Sequence, residues 1–207
     1  MSIRNRVMAL LSMLVFALTA SNALADNYSF TGNFNRDNDV QLFNFTVGAD
    51  TTVTLRTWSY AGGTNAAGNL VASGGFDPIL ALFNSSGLFI DDNDDGGSFV
   101  PADAASGARY DTFLTSFLHA GTYTVAISQY DNFANGPYLS DGFVRDGVAN
   151  EWFREHYLDT SGLYRDSHWA FDIENVQAAS PVPEPSTLIL LAAGLASLGY
   201  IRRRSSK

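Results

Sequence analysis

The chain has 207 residues, no cysteine, and 21 acidic against 12 basic residues. Residues 26–185 hold all 21 carboxylates against six arginines and no lysine, a net charge of −15. A surface this acidic repels nucleic acid and anionic membrane, so no nucleic-acid partner is expected. Without cysteine neither a disulfide nor a lipoprotein anchor can form, so stability must come from a packed core, with a bound ion as its natural aid.

The first 25 residues have the layout of a secretory signal peptide: Arg4 and Arg6, an apolar run from Val7 to Leu18, then Ala23-Leu24-Ala25. The run is shorter than the roughly 18 residues a membrane helix needs. Cleavage is expected between Ala25 and Asp26, with Ala23 and Ala25 as the small residues of the recognition site and the Sec translocon and signal peptidase as partners.

Period-two alternation of β-branched and aromatic residues then marks strands. Val40 to Val47 places Phe43, Phe45 and Val47 on one face, and Thr52 to Tyr60 opposes Val53 and Leu55 to Thr54, Arg56 and Trp58. Ile79 to Phe83 and Leu88 to Asp91 flank the turn Asn84-Ser85-Ser86-Gly87, and Thr112 to Leu118 and Thr122 to Tyr130 flank His119-Ala120-Gly121, so two hairpins are predicted. Trp169, Phe171 and Ile173 alternate in a last strand. The fold expected is all-β: an antiparallel β-sandwich, jelly-roll-like, of about 7–9 strands over residues 26–178. A signal helix precedes it, and a short transmembrane helix follows within residues 179–207.

Two connections are long. Ala61 to Gly75, rich in glycine and asparagine, predicts an exposed, mobile loop. Asp131 to Ser167 exceeds what a plain connection needs, and Glu151 to Leu158 predicts two helical turns within it. Its aromatics, with Trp152, Tyr138 and Tyr157 foremost, are candidate ligand-binding rings for a sugar polymer; the competing reading has them capping the core.

The acidic run Asp91-Asp92-Asn93-Asp94-Asp95 precedes Gly96 and Gly97. Asp91, Asn93 and Asp95 alternate as in the first half of a calcium loop. The second half fails, because Ala102 stands where an EF-hand needs its bidentate glutamate, so the ligands must be completed from Asp77, Asp103 or Asp111. Calcium is the cofactor expected if the run binds an ion; a solvated hairpin tip is the alternative. Oxygen donors without nearby histidine or cysteine argue against zinc or copper.

No catalytic residue is nominated. His119, His156 and His168 fit no metal-ligand or nucleophile motif, and Glu151 and Glu155, four apart, have the spacing of surface carboxylates rather than of a pair facing across a cleft.

The chain ends in Pro183-Glu184-Pro185, an apolar stretch from Leu188 to Ile201, and Arg202-Arg203-Arg204. At about 1.5 Å per residue the stretch makes roughly 22 Å of helix, short of the ~30 Å hydrocarbon core. The arginines would stay cytoplasmic, leaving the acidic domain outside. In this order of parts the tail resembles the PEP-CTERM sorting signal of Gram-negative bacteria. That resemblance implies recognition by an exosortase-type membrane protease, a cut near Pro183-Glu184-Pro185, and a host that makes exopolysaccharide and biofilm matrix. A plain single-span anchor is the other reading.

A second resemblance covers residues 76–147. Phe76-Asp77-Pro78-Ile79-Leu80-Ala81-Leu82-Phe83, then Ser86-Gly87, Asn93-Asp94-Asp95 and Ala120-Gly121-Thr122-Tyr123 are similar in order to the pre-peptidase C-terminal module. DVUA-type ectodomains, in which Gln129-Tyr130-Asp131-Asn132 and Asp141-Gly142-Phe143 also recur, are more similar still. The resemblance implies a non-catalytic β-sandwich, with calcium in some members. Three readings follow: an exported surface or matrix protein associated with exopolysaccharide, a calcium-dependent module binding carbohydrate or protein, and a hydrolase.

Overall fold

The computed structural model describes residues 25–147, 157–159 and 161–183. The predicted signal helix, Trp152, the helical turns before Tyr157 and the apolar tail lie outside the described residues. Among those described, no helix is long and apolar enough to cross a membrane.

Among the described residues, two antiparallel sheets of four and five strands face each other. The four-stranded sheet has the order β1 (Asp26–Asn33), β12 (His168–Val176), β3 (Thr51–Thr57), β8 (Phe113–Leu118). The five-stranded sheet has the order β13 (Ala178–Pro181), β2 (Gln41–Val47), β9 (Gly121–Gln129), β6 (Pro78–Asn84), β7 (Phe89–Asn93). Two short hairpins decorate the sandwich, β4 (Gly63–Thr64) with β5 (Leu70–Val71), and β10 (Tyr157–Leu158) with β11 (Tyr164–Arg165).

The alternation read from the sequence is what closes the sandwich. Phe43, Phe45 and Val47 of β2 point inward with Val125 and Ile127 of β9 and Leu80 and Leu82 of β6. They meet Val53, Leu55, Phe171 and Ile173 of the other sheet, all at most 2% exposed. Phe43 packs edge-on against Trp169, with ring centroids 5.7 Å apart, and lies 5.2 Å from Phe171. Each fully buried side chain of this size contributes on the order of 1.5–3 kcal/mol. A second cluster, Ala81, Phe83, Ala126 and Phe143, lies on the outer face of the five-stranded sheet. Leu139 and Phe143 from the connection after β9 cover it, so part of that connection does cap apolar surface.

Several expectations change. Asn84 to Gly87 is the predicted hairpin turn, with Gly87 at φ +78° and its N–H donating to the Asn84 carbonyl at 2.9 Å. His119-Ala120-Gly121 is not a hairpin: β8 pairs with β3 and β9 with β2 and β6, so this turn carries the chain from one sheet to the other. The loop from Ala61 to Gly75 contains the β4–β5 hairpin and is tied down, Ala66 donating its N–H to Asp172 at 2.8 Å and Ala67 to Ser29 at 3.0 Å. Tyr157 and Leu158 form strand rather than helix. Finally, β13 carries the sandwich to Pro181, beyond residue 178, and the Val182 N–H donates to the Leu42 carbonyl at 2.8 Å.

Candidate cation site

Register places the start of β6 and the ends of β7 and β9 at one end of the sandwich, because Pro78 pairs with Gln129 and Leu80 with both Ile127 and Asn93. Proline suits the first residue of a strand and holds the residue before it extended. Asp77 is thereby fixed, and its carbonyl accepts the Tyr130 N–H at 2.7 Å. On the neighbouring strand, pairing ends at Asn93, so Asp94 and Asp95 leave the sheet toward Asp77.

The result is a cluster of three carboxylates, Asp77, Asp94 and Asp95, each offering an oxygen within 4.8 Å of the others. Asp77 is 7% exposed, and its Oδ1 has no hydrogen-bond partner; Oδ1 of Asp94 is likewise buried and unpaired. Gln129, fully buried beside Pro78, leaves both ends of its amide unpaired. Burial pushes the Asp77 carboxyl up to about 9, reinforced by Asp94, Asp95, Asp111 and Asp159. Asp94 is pushed up to about 6 by burial and by Asp95 and Asp92, and burial also raises Asp95. Three carboxylates are thus assembled where burial disfavours the ionised form of each, with like charge adding to it at Asp77 and Asp94. A divalent cation reverses that balance, and an orphaned buried oxygen suits a ligand role. An all-oxygen set fits calcium or magnesium rather than a thiophilic metal.

Of the residues nominated from sequence, Asp77 and Asp95 come together, with Asp94 as the third member. Asp91 stays on β7, exposed, with Oδ1 accepting the Asp92 N–H at 3.0 Å. Asn93 accepts the Phe113 N–H at 2.8 Å and donates to the Asp95 carbonyl at 3.3 Å. Asp111 braces backbone: its Oδ1 accepts from Thr57 Oγ1 and Tyr60 N at 3.0 Å each, and its Oδ2 from Ala61 N at 2.8 Å. Asp103 is taken by Arg165 at 2.9 Å. Gly96 serves a close approach rather than a left-handed turn. Its φ is −76°, and a Cβ there would meet Val100 Cγ1 at 2.5 Å and the Asp111 carbonyl at 2.8 Å.

Arg165 organises a second polar group at this end that sequence reading missed. Its Nε donates to Asp159 at 2.7 Å, and its guanidinium lies 3.6 Å from the centroid of the Tyr60 ring. The Tyr60 hydroxyl donates to the same carboxylate at 2.7 Å. Burial works against the Asp159 charge, but bonds from Ser161, Tyr60 and Arg165 outweigh it and hold its carboxyl down at about 2. The one signal in the sequence was Arg165 itself, one of only six basic residues in the domain.

Of the candidate ligand-binding rings, Tyr138 is 48% exposed beside the β6–β7 turn, bridged to Leu88. Trp152 lies outside the described residues, and Tyr157 lies on β10. The histidines within the described residues pair with acids at the surface, His119 with Asp50 and His168 with Asp166.

Residues 181–204 match the family model of the PEP-CTERM protein-sorting motif. The match takes in Pro183, Glu184, Pro185, Arg202, Arg203 and Arg204, and the motif implies an exported, membrane-anchored precursor processed by an exosortase. It begins at Pro181, the last residue of β13, so the sorting signal starts where the sandwich ends. Among solved structures, the 1.0 Å crystal structure of the pre-peptidase C-terminal domain of collagenase from Bacillus anthracis is similar, at 10% identity. The match covers 74% of this chain and 89% of that one, with a TM-score of 0.35. No curated protein matches the chain in sequence.

Proposed function

We propose that the chain is an exported, non-catalytic surface or extracellular-matrix protein, processed through the exosortase pathway and associated with exopolysaccharide in a biofilm. In this reading a calcium ion fixes one end of its sandwich. The observation that carries the cation is the convergence of Asp77, Asp94 and Asp95 around a buried, unpaired carboxylate oxygen. These three side chains would hold the ion, and the ion would supply the positive charge that the cluster lacks.

Calcium is preferred over magnesium because it accepts irregular oxygen shells, whereas magnesium demands a near-ideal octahedron and gives up water reluctantly. The role assigned is structural. Asp94 and Asp95 follow β7, and Asp77 precedes β6, so an ion among them joins the loop after one strand to the root of its neighbour. Calorimetric titration of chelator-treated protein with calcium chloride tests this: one bound ion is expected, lost in Asp94→Asn and Asp95→Asn. Equal binding by wild type and both variants would overturn the assignment.

A further inference from the structure

The outer face of the four-stranded sheet has a composition that the fold does not require. Strand register places Arg56 opposite Phe113, Thr54 opposite Thr115, and Thr52 opposite Phe117. All six lie on the side away from the buried Val53, Leu55 and Leu114. Phe117 is 63% exposed, and Phe99, from the short 3₁₀ turn Gly97–Phe99, is 69% exposed. Apolar rings this open, on two different segments of one face, add nothing to the core.

Phe99 and Phe113 are held in place, and Phe117 lies edge-on to His119 with ring centroids 5.7 Å apart. Phe99 stacks on Phe113 with centroids 5.3 Å apart and planes 12° from parallel. The Arg56 guanidinium sits 3.8 Å from the Trp58 ring centroid and 5.5 Å from that of Phe113, and its Nη2 donates to the Phe99 carbonyl at 3.2 Å. Phe113 and Phe117 are four residues apart on one strand, about 14 Å. The threonine row of Thr52, Thr54 and Thr115 runs between and beside the two ring positions.

We infer that this face is a binding platform for a neutral polysaccharide chain. Rings about 14 Å apart, separated by hydroxyls, alternate apolar contact with hydrogen bonding, as do the carbon-hydrogen faces and hydroxyl edges of successive sugars. Charge narrows the occupant further. In a domain of net charge −15, this face is balanced: Arg56 lies near Glu174, while Asp172 is fully buried and bonded to Ser29, Trp58 and Ala66. A polyanionic glycan meets the repulsion of the whole domain, and the charge of Arg56 on this face is already drawn on by Glu174, Asp111 and Asp172. An apolar protein surface would leave the threonine row without polar partners.

The inference rests on the proposed function for its setting, a matrix of polysaccharide outside the cell, and it names the surface that would meet that matrix. It is also linked to the cation site, since Asp94, Asp95 and Phe99 share one loop.

The test is native affinity electrophoresis of the full chain in mild detergent, in gels containing hydroxyethylcellulose, galactomannan, dextran or the polyanion alginate. Retardation by at least one neutral polymer and none by alginate is expected. Phe99→Ala and Phe117→Ala, both at exposed positions, should each weaken it roughly tenfold. No retardation by any neutral polymer, or retardation unchanged in both variants, would overturn the platform. So would a light-scattering dimer that disappears with Phe117→Ala. Calcium titration of the same variants keeps the two readings apart: they should bind the ion like wild type, so a failed platform with intact calcium binding removes this inference alone.

Discussion

Asn93, the last residue of β7, accepts the backbone N–H of Phe113, the first residue of β8, at 2.8 Å. These strands are edges of different sheets, so one side-chain amide closes the seam of the sandwich next to the three carboxylates. The same amide donates to the Asp95 carbonyl at 3.3 Å and so shapes the loop that carries two of them. Removing it leaves a backbone donor without its partner. Asn93→Ala should therefore lower unfolding free energy in urea by about 1–3 kcal/mol; a loss near zero would mean that the seam does not depend on it.

Arg165 is 3% exposed and compensates two buried carboxylates, Asp103 and Asp159, from different loops. Replacing one partner of a buried ion pair leaves the other charges uncompensated and costs on the order of 3–5 kcal/mol. Arg165→Met should show a loss of that order by urea denaturation. The triple variant with Asp103→Asn and Asp159→Asn should recover part of it. Greater instability in the triple variant would refute the charge-compensation account.

The architecture was legible in the sequence because burial on one face writes itself as alternation. Phe43 and Phe45 are buried and Asn44 between them is exposed, as the pattern required. The turn at His119 was misread because turn composition does not say whether the chain returns within its own sheet or crosses to the other. Strand β1 went unseen because its inward residues, Tyr28 and Phe30, are only half-buried and sit among polar neighbours.

The site was half legible. The alternating oxygens of Asp91 to Asp95 fit a loop by spacing, whereas pairing with β6 extends strand through Asn93 and only Asp94 and Asp95 turn toward Asp77. Asp77, seventeen positions before Asp94, is one of three carboxylates that could complete the set by sequence; Pro78 and the strand register are what single it out over Asp103 and Asp111.

Processing gives a prediction independent of the domain. Because β13 pins the chain to Pro181 and Val182 bonds to Leu42, a cut must fall beyond the strand. Intact-mass analysis of the mature protein should show a chain starting at Asp26 and lacking Arg202, Arg203 and Arg204. Recovery of mature chains that retain the arginine cluster would contradict exosortase processing.

The cluster of Asp77, Asp94 and Asp95 also fixes the sign of a pH dependence. Asp77 and Asp94 have folded values raised to about 9 and about 6 from an ordinary 3.8. A carboxyl raised by folding adds stability while protonated, and that contribution is lost as pH rises through the folded value. Burial also raises Asp92, Asp95, Asp111 and Glu174, which act with the same sign. The lowered groups, Asp50, Asp103 and Asp159, change stability only below their ordinary value near 3.8. In chelator the melting temperature should therefore fall between about pH 5 and pH 9. Because calcium requires the ionised form, its stabilisation should grow over the same range. A melting temperature in chelator that climbs with pH would contradict the arrangement.

The central claim is that Asp77, Asp94 and Asp95 hold calcium, and thermal unfolding of the full chain in detergent, with excess calcium and with chelator, tests it most directly. A ligand bound by the native state alone stabilises by about 2.7 kcal/mol at a hundred times its dissociation constant. The account predicts a clear rise in the midpoint with calcium at neutral pH. In Asp77→Asn the rise should vanish while the chelated midpoint at neutral pH increases, since an amide is buried without the proton uptake that a carboxyl raised to about 9 requires. Superimposable curves for wild type with and without calcium would contradict it and leave the three carboxylates as a buried cluster without an ion.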